Sequence, residues 1–268
     1  MAILNEQDIP QITVTDDGAV RVFTLNRPAR MNALTLDMLH KLGELIHAAN
    51  ADPSVRVLVF TGAGERAFCA GADVAGLQSA AATSVEQQLR EPMPVFTPRQ
   101  CQVYKPSICA VNGICAGAGL HFVADCDIVI AADNASFVDS HVNVGQVTAL
   151  EPIGLARRIP LGTVLRMVIL GKAEKLDAQR ALQCGLVSEV VSPAQLIPRA
   201  MELARVAAEV SPAAVRASLQ AIWQSFEMPL AQAYAQGYEA LVRHRSHPDA
   251  SEGPRAFIEK RVPIWANK

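Results

Sequence analysis

The chain has 268 residues, half of them hydrophobic, with 19 % charged and a formal net charge of −2. That composition can bury a sizeable core and excludes a disordered chain. The near-neutral charge and only 5 % aromatic residues give no basis for nucleic acid or an anionic membrane surface as partner.

The N-terminal text MAILNEQDIPQITVTDDG has no basic start leading into an apolar run, so no signal peptide is expected. Every apolar stretch is shorter than a membrane span, and the cytoplasm is the expected compartment. Residues 19–25 read as a strand, broken by Asn26-Arg27-Pro28. Residues 36–50 place Leu36, Leu39, Leu42, Leu45, Ile46 and Ala49 at helical spacing. Residues 55–61 are almost continuously apolar, as a parallel strand buried on both faces requires, and residues 107–111 and 127–131 read the same way. From Gly162 the text turns mostly helical: 163–170, 177–184, 193–210, 213–226, 230–244 and 252–260. Strands separated by helices predict an α/β core over residues 1–190. A helical region over 191–268 is expected to pack on further copies of the chain. Six cysteines (Cys69, Cys101, Cys109, Cys115, Cys126 and Cys184) form no CxxC pair, and no histidine stands at finger spacing. They read as small core residues, and no metal site is expected.

Two small-residue turns carry the chemistry. The first is Phe68-Cys69-Ala70-Gly71-Ala72-Asp73-Val74; the second is Asn112-Gly113-Ile114-Cys115-Ala116-Gly117-Ala118-Gly119. Each follows a predicted strand. Small side chains let a ligand approach the backbone, and a helix entrance presents free N–H groups. Two such entrances facing each other would hold an oxyanion. A lone Gly-Ala-Gly turn, however, is ordinarily tight packing. Gly113, Gly117 and Gly119 miss the dinucleotide spacing, and no GK[ST] follows to make a phosphate loop.

Taken together and in order, the motifs resemble the crotonase superfamily, the enoyl-CoA hydratase/isomerase family. The matching text is Leu25-Asn26-Arg27-Pro28, Asn32-Ala33-Leu34, the two turns, Cys126-Asp127-Ile128, Leu170-Gly171, Gly185-Leu186-Val187 and Glu252-Gly253. The resemblance implies an α/β spiral of ββα units with a C-terminal helical trimerisation region, and a homotrimer or dimer of trimers. It implies an acyl-CoA thioester substrate, with coenzyme A entering as part of that substrate and no separate cofactor. It also implies that the backbone N–H groups of Ala72 and Ala118 hold the thioester oxygen. Arg30, Ala33, Ala70, Asp73, Val74 and Gly117 fall on the implied coenzyme A and thioester surface, with Arg30 placed for the phosphates.

The chain departs from the family at both catalytic glutamates. His121 stands two residues past Gly119, and His141 four past Phe137, where typical hydratases carry the pair. Imidazole is an acid or base near neutral pH, but its two nitrogens point in fixed opposite directions. His121 also fits a buried histidine bonded to backbone. Asp139, two residues before His141, would share its face on a strand and could orient the ring. Glu151, before Pro152, fits a helix start, and is also a candidate replacement carboxylate. Met93, Val95, Phe96 and the prolines at 92, 94 and 98 are expected to form an apolar lid. Hydration or isomerisation of an enoyl-CoA, hydrolysis of a thioester or β-dicarbonyl C–C bond, and a non-catalytic CoA-binding subunit all stay open at this point.

Overall fold

The computed structural model describes residues 10–73 and 84–266. Its strands are β1 (Ile12–Asp17), β2 (Val20–Leu25), β3 (Val57–Gly62), β4 (Ala67–Cys69), β5 (Ser107–Val111), β6 (Ile114–Ala116), β7 (Ile128–Ala132), β8 (Ser136–Val138), β9 (Leu176–Asp177) and β10 (Glu189–Val191). A six-stranded sheet runs β1-β2-β3-β5-β7-β10, and a four-stranded sheet runs β4-β6-β8-β9. Among the described residues, only the β1–β2 and β8–β9 pairs are antiparallel. Each long central strand continues into a short one of the second sheet: β3 into β4, β5 into β6, β7 into β8. That repeated step is the ββα spiral.

The helices are α1 (Leu36–Ala51), α2 (Val85–Gln88), α3 (Leu120–Asp125), α4 (Leu150–Leu155), α5 (Leu161–Leu170), α6 (Ala178–Gln183), α7 (Pro193–Glu209), α8 (Pro212–Ser225), α9 (Leu230–His244) and α10 (Pro248–Glu259). In α1, Thr35 caps the N-terminus by accepting from the Met38 amide, and Met38, Leu42, Ile46 and Ala49 make the buried stripe. The main sheet is covered on both faces, which explains its apolar strands. Leu58 and Phe60 face the larger core with Phe23, Phe68, Phe122 and Phe137. Their neighbours Val57 and Val59 face the other way, against Leu196, Ala200 and Ala204 of α7.

The expected long elements form, with ends shifted by a few residues. Strands β1 and β10 and the short strands β4, β6 and β9 were not expected, whereas β8 is the strand expected before His141. The division expected between residues 190 and 191 passes through β10, which pairs with β7. Helix α7 then covers the sheet, so the helices that leave the core begin at Pro212. The last helix starts at Pro248 rather than residue 252, because His247 caps it by accepting from the Asp249 amide and Pro248 suits its first turn. Among the described residues no helix is long and apolar enough to cross a membrane.

Candidate active site

The two turns meet backbone to backbone. Gly71 and Gly117 both adopt positive φ, +105° and +47°. A Cβ added to Gly117 would stand 3.4 Å from the Gly71 Cα, and one on Gly71 would stand 3.4 Å from the Ala116 carbonyl oxygen. A Cβ at either position would just reach contact, and it is the positive φ, above all +105° at Gly71, that favours glycine there. Leu34 and Ala72 form an isolated parallel bridge, made by Leu34 N–H to Gly71 O (2.8 Å) and Asp73 N–H to Leu34 O (2.8 Å). A parallel bridge uses the groups flanking its residue, so the Ala72 N–H points away from Leu34. Ala118 is the middle residue of a 3-10 turn, Gly117–Gly119, at the entrance to α3. Its N–H is one of the donors that a helix start leaves without an internal partner.

His141 lies against this turn. The Cβ position on Gly117 is 3.4 Å from its Cε1 and 3.7 Å from its Nε2. Its Nδ1 is 2.8 Å from Asp139 Oδ1, an atom that also accepts the His141 amide at 3.1 Å. Thr148 donates its hydroxyl to the other oxygen of Asp139 at 2.5 Å. The Asp139–His141 pairing is therefore as expected, but its cause is different. Strand β8 ends at Val138, and the ring is brought back by the 3-10 turn that His141 begins. Burial opposes ionisation of Asp139, yet the bonds from His141 and Thr148 hold its carboxyl below the usual range. The same bond raises the His141 pKa, against partial burial and with help from the Glu151 charge.

His121 is a different case. It sits on α3 with 7 % of its surface exposed, edge-on to Phe96. Its Nδ1 is 3.1 Å from Gln100 Nε2, and the Phe96 amide donates to Gln100 Oε1 at 3.0 Å. That second bond fixes the amide's orientation, so Gln100 donates to a lone pair on Nδ1 and the ring proton belongs on Nε2. Burial lowers the His121 pKa, with Glu151 and Asp125 pulling it back up.

Glu151 joins the two rings. Its Oε1 lies 3.5 Å from His121 Nε2 and 3.9 Å from His141 Nε2, and the residue is 7 % exposed. It does stand in the first turn of α4, as the helix-start reading expects. The fold also makes it the carboxylate shared between the two histidines.

The residues assigned to the coenzyme A surface gather at one edge. The Ala70 N–H donates to Met31 O next to Arg30, and Ala33 precedes the Leu34 bridge. Arg30 and Ala70 are exposed. Asp73 is paired with Arg27, whose Nη1 also donates to Ala33 O (2.9 and 2.6 Å), so its carboxylate braces this edge. Val74 lies outside the described residues. Arg27, Gln100 and Thr148 were missed by sequence reasoning; each acts through a partner distant in sequence or set by a bend, and no local pattern signals it. Asp127 is structural. It accepts from the Ser107 amide and hydroxyl and from the Trp223 indole.

The expected apolar lid takes another form. Phe96 is buried, but Met93 and Val95 are 51 % and 38 % exposed. The following residues instead give Arg99, Gln100, Gln102 and Tyr104 to a cavity that His121 also lines.

Comparison with known proteins agrees with this architecture. The profile of the enoyl-CoA hydratase/isomerase family matches residues 15–268. The crystal structure of an enoyl-CoA hydratase/isomerase from Mycobacterium paratuberculosis superposes with a TM-score of 0.87 at 41 % identity, covering 96 % of this chain and 99 % of that one. The (E)-benzylidenesuccinyl-CoA hydratase of Thauera aromatica is 34 % identical over 95 % of this chain and 98 % of its own. Carnitinyl-CoA dehydratase of Escherichia coli K12 is 33 % identical over 95 % and 98 %. The chain belongs to the enoyl-CoA hydratase/isomerase family.

Proposed function

We propose that this chain processes acyl-CoA thioesters by adding water across an enoyl-CoA double bond, or by the reverse dehydration. The observation that carries the reading is the Glu151 carboxylate held between two imidazoles, beside a pair of facing glycine turns. Coenzyme A is part of the substrate, and no further cofactor is required.

The thioester oxygen accepts from the Ala72 and Ala118 N–H groups, which stabilise charge as it develops there. The α-carbon adjoins that carbonyl, so the group nearest the turns serves it. That group is His141. Glu151 takes a proton from water as the water oxygen bonds to the β-carbon. The π electrons move onto the thioester oxygen, and the His141 imidazolium then protonates the α-carbon. Return of the proton from Glu151 to His141 Nε2 across 3.9 Å restores the starting state. His121 stays neutral and turns its Nε2–H toward Glu151, orienting the carboxylate. The relatives named for hydratase and dehydratase reactions support the same chemistry. The side chains left exposed on α8 and α9, among them Ile222, Tyr234, Tyr238 and Leu241, support an assembly of several copies, a trimer or dimer of trimers.

Mass spectrometry of the protein with a panel of enoyl-CoA thioesters tests the reading. The expected product is the thioester plus one water with coenzyme A still attached. Release of free coenzyme A would instead assign a hydrolase. Tight binding without any turnover would leave a non-catalytic CoA-binding subunit.

A further inference from the structure

A cavity of about 430 Å³ adjoins the reacting groups, sharing His121 and Gln100 with them. Its other walls come from the segment after Phe96, from α4 and from the end of α8. A site for a plain alkyl chain would be lined by apolar side chains. This one sets Arg99 and Arg157 among the apolar Met93, Leu150, Ile153 and Trp223.

Arg99 is the unusual group. Its guanidinium carbon stands 4.5 Å from the centre of the Trp223 ring. Trp223 is itself anchored, donating its indole N–H to Asp127 Oδ1 at 2.7 Å. Arg99 is thus held over an anchored aromatic ring, a contact that uses its charge and none of its N–H donors. Among the described residues its side chain makes no ion pair and no hydrogen bond. Arg157 stands over Phe226 and donates one N–H to its carbonyl, which leaves further donors. Two acids share the wall. Asp125 is buried and accepts the Thr97 hydroxyl at 2.5 Å; burial raises its pKa, against that bond and the nearby charges of His121, Arg99 and Arg158, and Glu227 is exposed. Neither is bonded to a cavity arginine. The Trp223 ring offsets part of the cost of the half-buried Arg99 guanidinium, but its N–H donors have no carboxylate bonded to them within the chain.

We infer that the acyl group accepted here ends in a carboxylate, so that the substrate is the monothioester of a dicarboxylic acid, its free end gripped by Arg99 with Arg157 beside it. The inference rests on the acyl-CoA reading above and deepens it. A guanidinium meets a carboxylate through two parallel N–H···O bonds, which selects that end group over a methyl.

Saturated thioesters bind without reacting, so their affinities separate this inference from the chemistry. Calorimetry on the full-length protein would compare succinyl- with butyryl-CoA, adipoyl- with hexanoyl-CoA, and suberoyl- with octanoyl-CoA. At one chain length the acidic member should bind roughly 10- to 100-fold tighter, as hydrogen bonds to a charged group imply. In Arg99→Gln that ratio should fall to near one, and Arg99→Lys should restore part of it. Thermal melting checks that each variant is folded. Equal or weaker binding of the acidic member at every length overturns the inference and leaves the acyl-CoA reading standing. So does a preference that survives in the Arg99→Gln, Arg157→Gln double variant. Failure of every thioester to bind overturns the acyl-CoA reading, and this inference with it.

Discussion

The surroundings of His121 and His141 are opposed. Around His121 the chain supplies burial, an aromatic edge and an amide that donates to the ring. Around His141 it supplies an ionised carboxylate and partial solvent. Burial lowers the first pKa and the Asp139 bond raises the second. Two identical side chains therefore have different work near neutral pH: a fixed neutral donor and a proton carrier. Glu151 touches both and links the two functions.

Removing the link is the most severe test of that division. Glu151→Gln keeps the shape and deletes the base, so kcat should fall by about 100- to 10,000-fold. Near-normal turnover of enoyl-CoA by this variant would assign the base to a histidine. Ala118→Pro removes one N–H from the oxyanion pair, and Gly117 before it has no Cβ to clash. A loss of about 100- to 1000-fold is expected, seen in kcat with little change in coenzyme A binding. Wild-type turnover in a folded Ala118→Pro protein would end the assignment of that turn.

The pH profile separates the two histidines. If His141 is the acid in hydration, the rate falls as pH rises through its raised pKa. Asp139→Asn should move that limb to lower pH, and His141→Gln should flatten it. His121→Gln should leave the limb in place and lower kcat by a smaller factor. A limb that moves with His121 instead reverses the roles.

Stability against pH gives a fourth, smaller signal, with opposite signs at the two rings. His141 has its folded pKa above the unfolded value, so its contribution is complete below the unfolded pKa and is lost as pH rises through the folded one. His121 has its folded pKa below the unfolded value, so its contribution is complete above the unfolded pKa and is lost as pH falls through the folded one. Melting temperatures of the two His→Gln variants across this range should diverge from wild type in opposite directions. The smallest effect expected is from Thr35→Ala, which removes the α1 cap and should cost about 1 kcal/mol in denaturant unfolding, with no change in either pH profile.

The legible parts of the fold were those with many repeats of a pattern. Leu58 and Phe60 alternate with Val57 and Val59 on a strand covered on both faces, so an apolar run over residues 55–61 announced β3. Strands of two or three residues, such as β9 and β6, are too short to show a period. They form because each lies against a neighbour laid down by the spiral. The turns were legible because backbone of positive φ, as at Gly71 and Gly117, is written in glycine. The polar cavity wall was not legible, because prolines and Met93 around it read as apolar while Arg99 and Trp223 are brought together from distant segments.

The sequence alone determined the α/β class, the two glycine turns, and histidine at both positions where the family resemblance leads to glutamate. Those follow from local chemistry: periodicity, side-chain size, and motif order. Only the tertiary structure decided that Glu151 is more than the first turn of a helix, that Gln100 sets the His121 proton, and that Arg99 rests on Trp223. Each of these depends on a contact between segments far apart in the chain, where a distance of a few ångströms sets the proton and charge state and no local pattern records it.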